Sequence, residues 1–134
     1  MLTKLTRKYE VYFYFVFRVL VGLLFIEHGI QKLFGLLGGK TVDLISLFGL
    51  AGVIEFVGGL LIVLGLFTRI AALFGIFNMI GAWFIGHVGN GWIPIVNKGE
   101  LALLYLASFL ILLVYGSKKW GLDNKFFKFP NWFA

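Results

Sequence analysis

The sequence predicts an all-α membrane protein: a four-transmembrane-helix bundle with both termini in the cytoplasm and an amphipathic C-terminal tail. Three observations predict it. Of 134 residues, 60% are hydrophobic and only 13% charged, with a mean hydropathy of +0.97. A water-soluble domain of this size needs more charge to cover its surface. Four apolar runs, about 11–37, 44–67, 70–86 and 99–116, are separated by short Gly-rich or charged breaks. The Lys and Arg residues collect at the chain ends and in one tight connection, a topology signal and not a nucleic-acid footprint. The length suits one bundle, residues 1–134, and no second domain.

Each element follows in order. Met1 to Glu10 is polar and basic, with Lys4, Arg7 and Lys8. The first apolar run starts at Val11, and no small-residue cleavage site follows it, so it reads as a retained helix. It spans roughly 40 Å at helical rise, longer than a bilayer core, so it tilts or projects. Arg18, near its start, is expected to snorkel to the cytoplasmic headgroups. Gly38, Gly39, Lys40 and Asp43 mark a loop. In the second span Gly52, Glu55 and Gly59 share one face, small enough for a neighbouring helix to approach and meet the carboxylate. Thr68-Arg69 is a tight connection. Ala71, Gly75, Asn78 and Ala82 form the small, polar stripe of the third span. Gly86 to Pro94, including His87, reads as a Gly-rich loop. Asn97-Lys98-Gly99-Glu100 opens the fourth span. In the tail, 117–134, Lys118, Lys119, Lys125 and Lys128 alternate with Trp120, Phe126, Phe127, Phe129, Trp132 and Phe133, as suits the membrane surface. Trp83, Trp92, Trp120 and Trp132 are expected as interface anchors.

Lys4, Arg7, Lys8, Arg69 and the tail lysines fall on one side of a four-span topology, and Lys40 and Lys98 on the other. The positive-inside rule makes the richer side cytoplasmic, in the cell membrane. Depth follows. Glu27, His28, Gln31 and Lys32 lie in the outer part of the first helix, Glu55 lies ~16 Å down the second, His87 ends the third and Glu100 starts the fourth. Such groups in hydrocarbon need partners or a wet cavity. A polar, outward-opening chamber is the arrangement expected to satisfy them.

The stretch Gly22-Leu-Leu-Phe-Ile-Glu-His-Gly-Ile-Gln-Lys-Leu-Phe-Gly35 resembles the first-helix signature of the DoxX family of small membrane proteins. Gly52 to Ala72, with Glu55, Gly58, Gly59, Thr68 and Arg69, resembles its second signature. Asn97-Lys98-Gly99-Glu100 to Tyr105 resembles its third, and Gly121-Leu122-Asp123 the Ser-Leu-Asp ending, with Gly in place of Ser. The resemblance implies a four-helix membrane bundle. Its functional implication is a membrane subunit linked to quinone and respiratory redox chemistry, an accessory subunit of a quinone-dependent oxidoreductase. The alternatives are a structural or assembly protein whose buried charges fix helix packing and, ranked last, a small-solute carrier.

The candidate polar or ligand-binding residues are Glu27, His28, Gln31, Lys32, Glu55, Asn78, His87 and Glu100. His with a carboxylate can handle protons, and Lys32 can hold an anion or a carbonyl. Against this stands an interhelix salt-bridge network, Glu55 or Glu27 with Lys32 or His28, that only sets register. Asn78 is equally suited to a helix–helix hydrogen bond, and Glu100 to the start of a helix. Quinone is the cofactor to consider. Haem between His28 and His87, or zinc held by His28, His87, Glu55 and Glu100, has the ligand types and no further support, and no metal site is expected. With no cysteine, this chain cannot supply dithiol chemistry or iron–sulfur ligation. The expected partners are lipid and a protein subunit or further copies of the chain, and no nucleic acid.

Overall fold

A computed structural model of the chain describes residues 1–126; Phe127, Lys128, Phe129, Trp132 and Phe133 of the expected tail lie outside them. All regular structure among the described residues is helical. Helix α1 is Leu2–Phe34, α2 Leu47–Leu64, α3 Thr68–Gly81, α4 Pro94–Asn97, α5 Glu100–Tyr115 and α6 Leu122–Phe126. Helix α3 runs on through a π-helical turn, Ala82–His87, and a 3₁₀ turn, Val88–Asn90. Three of these segments, Leu2–Phe34, Leu47–Leu64 and Thr68–Asn90, are long and apolar enough to cross a membrane; Glu100–Tyr115 is a shorter apolar helix.

Two boundaries differ from expectation for local reasons. Helix α1 begins at Leu2, well before the apolar run, because Leu, Lys, Arg and Glu favour helix and no Gly or Pro intervenes. It stops at Gly35, whose φ of 64° lets its N–H return to the Gln31 carbonyl. The stretch after Gly86 stays helical to Asn90; the break comes at Gly91, with φ 114°. Pro94 then starts α4, where its missing N–H costs nothing.

Helices α1 and α2 pack backbone to backbone. A Cβ added to Gly29 would lie 2.5 Å from the Phe56 nitrogen, and one on Gly59 would lie 2.8 Å from the Gly22 carbonyl oxygen. The small face foreseen on α2 is buried at Gly52, Glu55 and Gly59. Helix α3 meets α5, with Gly75 against the Phe109 ring. The core between them is aromatic: Phe25 and Phe109 are fully buried, 4.7 Å between centroids, and Tyr105 stacks on Phe109. Gly29→Ala is expected to cost about 1–3 kcal/mol, because the atom it meets is helix backbone, not a yielding side chain. Gly81, with open space around it, is the control: Gly81→Ala should leave stability equal or higher. Thermal unfolding in detergent distinguishes them, and equal midpoints would refute the packing account.

At the end of the bundle where α2 turns into α3, Arg18 does not snorkel. It is 0% exposed. Its Nη1 donates to the carbonyls of Ile62 (2.9 Å) and Val63 (3.3 Å), and its Nη2 to that of Trp120 (3.3 Å). The physical reason is that the last turn of α2 leaves carbonyls without helical donors and carries partial negative charge, and a guanidinium answers both. Gly65 makes the room, since a Cβ there would strike the guanidinium, and Gly121 lets its own segment close on Gly65. Asp123, also fully buried, does the reverse for α3: its carboxylate accepts from the N–H groups of Phe67 (2.8 Å) and Thr68 (3.4 Å). The two charges thus bracket the α2–α3 turn.

Candidate functional site

The polar residues of α1 do not stay together. Glu27 is exposed on the bundle surface. The half-buried His28 turns toward α5, its ring edge-on to Tyr105 at 5.8 Å. The Gln31 amide donates to the Leu37 carbonyl at 2.9 Å and ties down the following loop. Lys32 alone reaches across to α2, where its Nζ lies 2.5 Å from both carboxylate oxygens of Glu55. The Lys32 side chain keeps 27% of its surface exposed, the Glu55 side chain 4%. Asn78, from α3, donates its amide to Glu55 Oε1 at 3.3 Å. Glu55 therefore takes donors from two other helices, as a carboxylate in low dielectric requires.

This triad forms the polar end of a cavity of about 380 Å³ between α2 and α3. Its walls are apolar, with Phe48, Ala51, Ile54, Phe77, Ala82 and Ile85 among them, and His87 is its fourth polar residue. Phe48, Phe77 and Ile85 are also exposed on the outer surface of the bundle, so the cavity opens sideways. The charges of Lys32 and Glu55, paired within the site, offset each other. An apolar slot with a few converging polar groups is the usual form of a small-molecule site.

Glu100 does not join the cavity. It is exposed in the first turn of α5, where the helix dipole favours a carboxylate. Among the described residues no three His, Asp or Glu side chains come together as a metal ion would require. Trp83 is half-buried against Gly99 and near His87 instead of lying free at an interface, whereas Trp92 and Trp120 are exposed.

The DoxX family model matches residues 13–88, more than half of the chain and the whole of the α1–α3 unit that builds the cavity apart from the first turns of α1 and the last of the 3₁₀ turn. The chain belongs to the DoxX family. An uncharacterized protein of Haemophilus influenzae is 44% identical over 128 residues, covering 90% of this chain and 96% of the relative. An uncharacterized membrane protein of Mycobacterium tuberculosis is 33% identical over 129 residues, 83% of this chain and 79% of the relative. A Bacillus subtilis protein named "Putative oxidoreductase CatD" is 30% identical over 118 residues, 83% and 84%. No solved structure matches the chain.

In this DoxX protein two residues, Asn97 and Asp123, have structural tasks that their sequence motifs did not announce. Asn97 is buried, at 3% exposure, and organises the turn before α5. Its amide donates to the Gly91 carbonyl and its side-chain oxygen accepts from the Gly99 N–H, both at 2.8 Å. Its own carbonyl lies 3.1 Å from His87 Nδ1. An Asn two residues before a Gly at a helix start is a turn signal that could have drawn notice. Asp123 stood out only through its likeness to the family ending; its task of capping a helix 56 positions away in the chain leaves no local trace.

Proposed function

We propose that this DoxX protein is a membrane subunit linked to quinone or respiratory redox chemistry, and that the cavity between α2 and α3 seats the headgroup of a membrane-dissolved quinone. The observation that carries this reading is the cavity's amphipathic lining: apolar walls opening sideways, with Lys32, Glu55, Asn78 and His87 as its polar groups. Lys32 and Asn78 carry N–H donors suited to carbonyl oxygens. Because Glu55 already neutralises Lys32, a neutral carbonyl headgroup suits the site better than an anion. The name of the Bacillus subtilis relative is in keeping with a redox role. The electron donor would come from a partner subunit. The distribution of Lys and Arg supports four crossings of the cell membrane with both termini in the cytoplasm, which puts the cavity in the outer half of the bilayer.

Purification in mild detergent followed by mass spectrometry of extracted lipids tests the reading. Quinone should accompany the wild-type protein in near-stoichiometric amounts and fall away in Glu55→Gln. Absence of quinone from the wild type, together with a co-purifying protein, would favour the assembly role instead. One observation favours that second reading: the Lys32–Glu55 pair joins α1 to α2 whether or not a ligand is present. A carrier has less support, since Arg18 and Asp123 are fully buried in contacts at the opposite end of the bundle.

A further inference from the structure

We propose that the π-helical turn Ala82–His87 serves to aim His87 Nε2 at the cavity as a hydrogen-bond acceptor, so that the site favours the hydroxyl-bearing, reduced form of its headgroup. This rests on the reading of the cavity as a quinone-type site.

The geometry begins with Asn78. On a regular α-helix a residue nine positions later lies about 180° round the axis. His87 would then point away from Asn78 and the cavity. A π turn holds more residues, so each residue advances less around the axis, and His87 comes to line the same cavity as Asn78. Such turns are rare inside α-helices and are found frequently at functional sites.

The ring is also set in one tautomer. Its Nδ1 faces the Asn97 backbone carbonyl at 3.1 Å, and a carbonyl oxygen only accepts, so Nδ1 carries the hydrogen. In the neutral imidazole Nε2 is then a bare acceptor. No group among the described residues donates to it. The carbonyl that fixes it is itself held, because both ends of the buried Asn97 amide are bonded. The other polar groups of the cavity are tied to one another: Lys32 donates to both oxygens of Glu55, and Asn78 donates its amide N–H to one of them. His87 Nε2 stands outside that cluster as an acceptor available to a ligand. A quinol hydroxyl can donate to it. A quinone carbonyl presents only lone pairs there and gains nothing.

The test uses the full chain in lipid nanodiscs without oxygen, titrated separately with a decyl-substituted benzoquinone and with its quinol. Quenching of tryptophan fluorescence reports binding, since Trp83 lies 6.4 Å from the His87 ring. Wild-type protein should bind the quinol roughly three- to tenfold more tightly, the range of one hydrogen bond. His87→Phe keeps a ring but no acceptor and should lose the preference, binding both forms about equally. His87→Gln restores an acceptor and should recover part of the preference. Equal affinities in the wild type, or a preference that survives in His87→Phe, would overturn the assignment to His87 and leave the quinone site standing. Binding of neither form by the wild type would remove the quinone reading and this inference with it.

Discussion

Lys32→Met is expected to destabilise the protein by about 3–5 kcal/mol, the usual cost of removing one partner from a buried ion pair. Glu55 is 3% exposed and would retain only the Asn78 amide, at 3.3 Å, in place of two contacts at 2.5 Å. A carboxylate so placed must either stay charged against low dielectric or take up a proton, and both cost free energy. Removing both charges avoids this. The double variant Lys32→Met with Glu55→Gln is therefore expected to recover most of the loss, because a neutral amide at position 55 can still accept from Asn78. Unfolding of the single and double variants in detergent gives the coupling directly. Strictly additive losses would show that the two side chains do not stabilise each other.

Arg18→Leu should have an effect of similar size, about 3 kcal/mol or more. It removes three hydrogen bonds from a charged donor, each worth roughly 1.5–3 kcal/mol, partly offset by relief from desolvating the guanidinium. The carbonyls of Val63 and Trp120 lose the guanidinium, that of Ile62 keeps only the Gly65 N–H, and the nearby buried Asp123 loses an opposite charge. Arg18→Lys should recover less than half, since one ammonium cannot reproduce a planar fork that reaches α2 and the segment before α6 together. The control is Asp123→Asn in the Arg18→Leu background. Its amide oxygen still accepts from one N–H at the start of α3, so the pair should cost less than the sum of the two changes. Unfolding in the same detergent is the readout, and an Arg18→Leu loss within about 0.5 kcal/mol, the range of an ordinary surface change, would restore the snorkelling picture.

Much of the bundle was legible before any coordinates. Hydropathy located the apolar helices, although α1 and α2 end a few residues before the expected 37 and 67, at Gly35 and Gly65, because a residue without Cβ turns there at low cost. The i, i+3, i+7 spacing of Gly52, Glu55 and Gly59 announced a close helix contact with a carboxylate in it. The candidate site was legible as a set of residue types and depths, less so as a constellation. Of the eight residues singled out, Lys32, Glu55, Asn78 and His87 line one cavity; Glu27, His28, Gln31 and Glu100 are placed elsewhere.

The division has a physical basis. By itself the sequence determined that the chain belongs in lipid, where its helices lie, and that Glu55 and Lys32 each need a partner, because those properties follow from transfer free energy and helical periodicity along one segment. Only the tertiary structure decided that the partner of Glu55 is Lys32 and not His28, that Arg18 turns inward to the open carbonyls of α2, that Asp123 caps α3, and that a widened turn brings His87 to the cavity wall. Each of those depends on where one helix end meets another, and on a few tens of degrees of rotation that no single segment encodes.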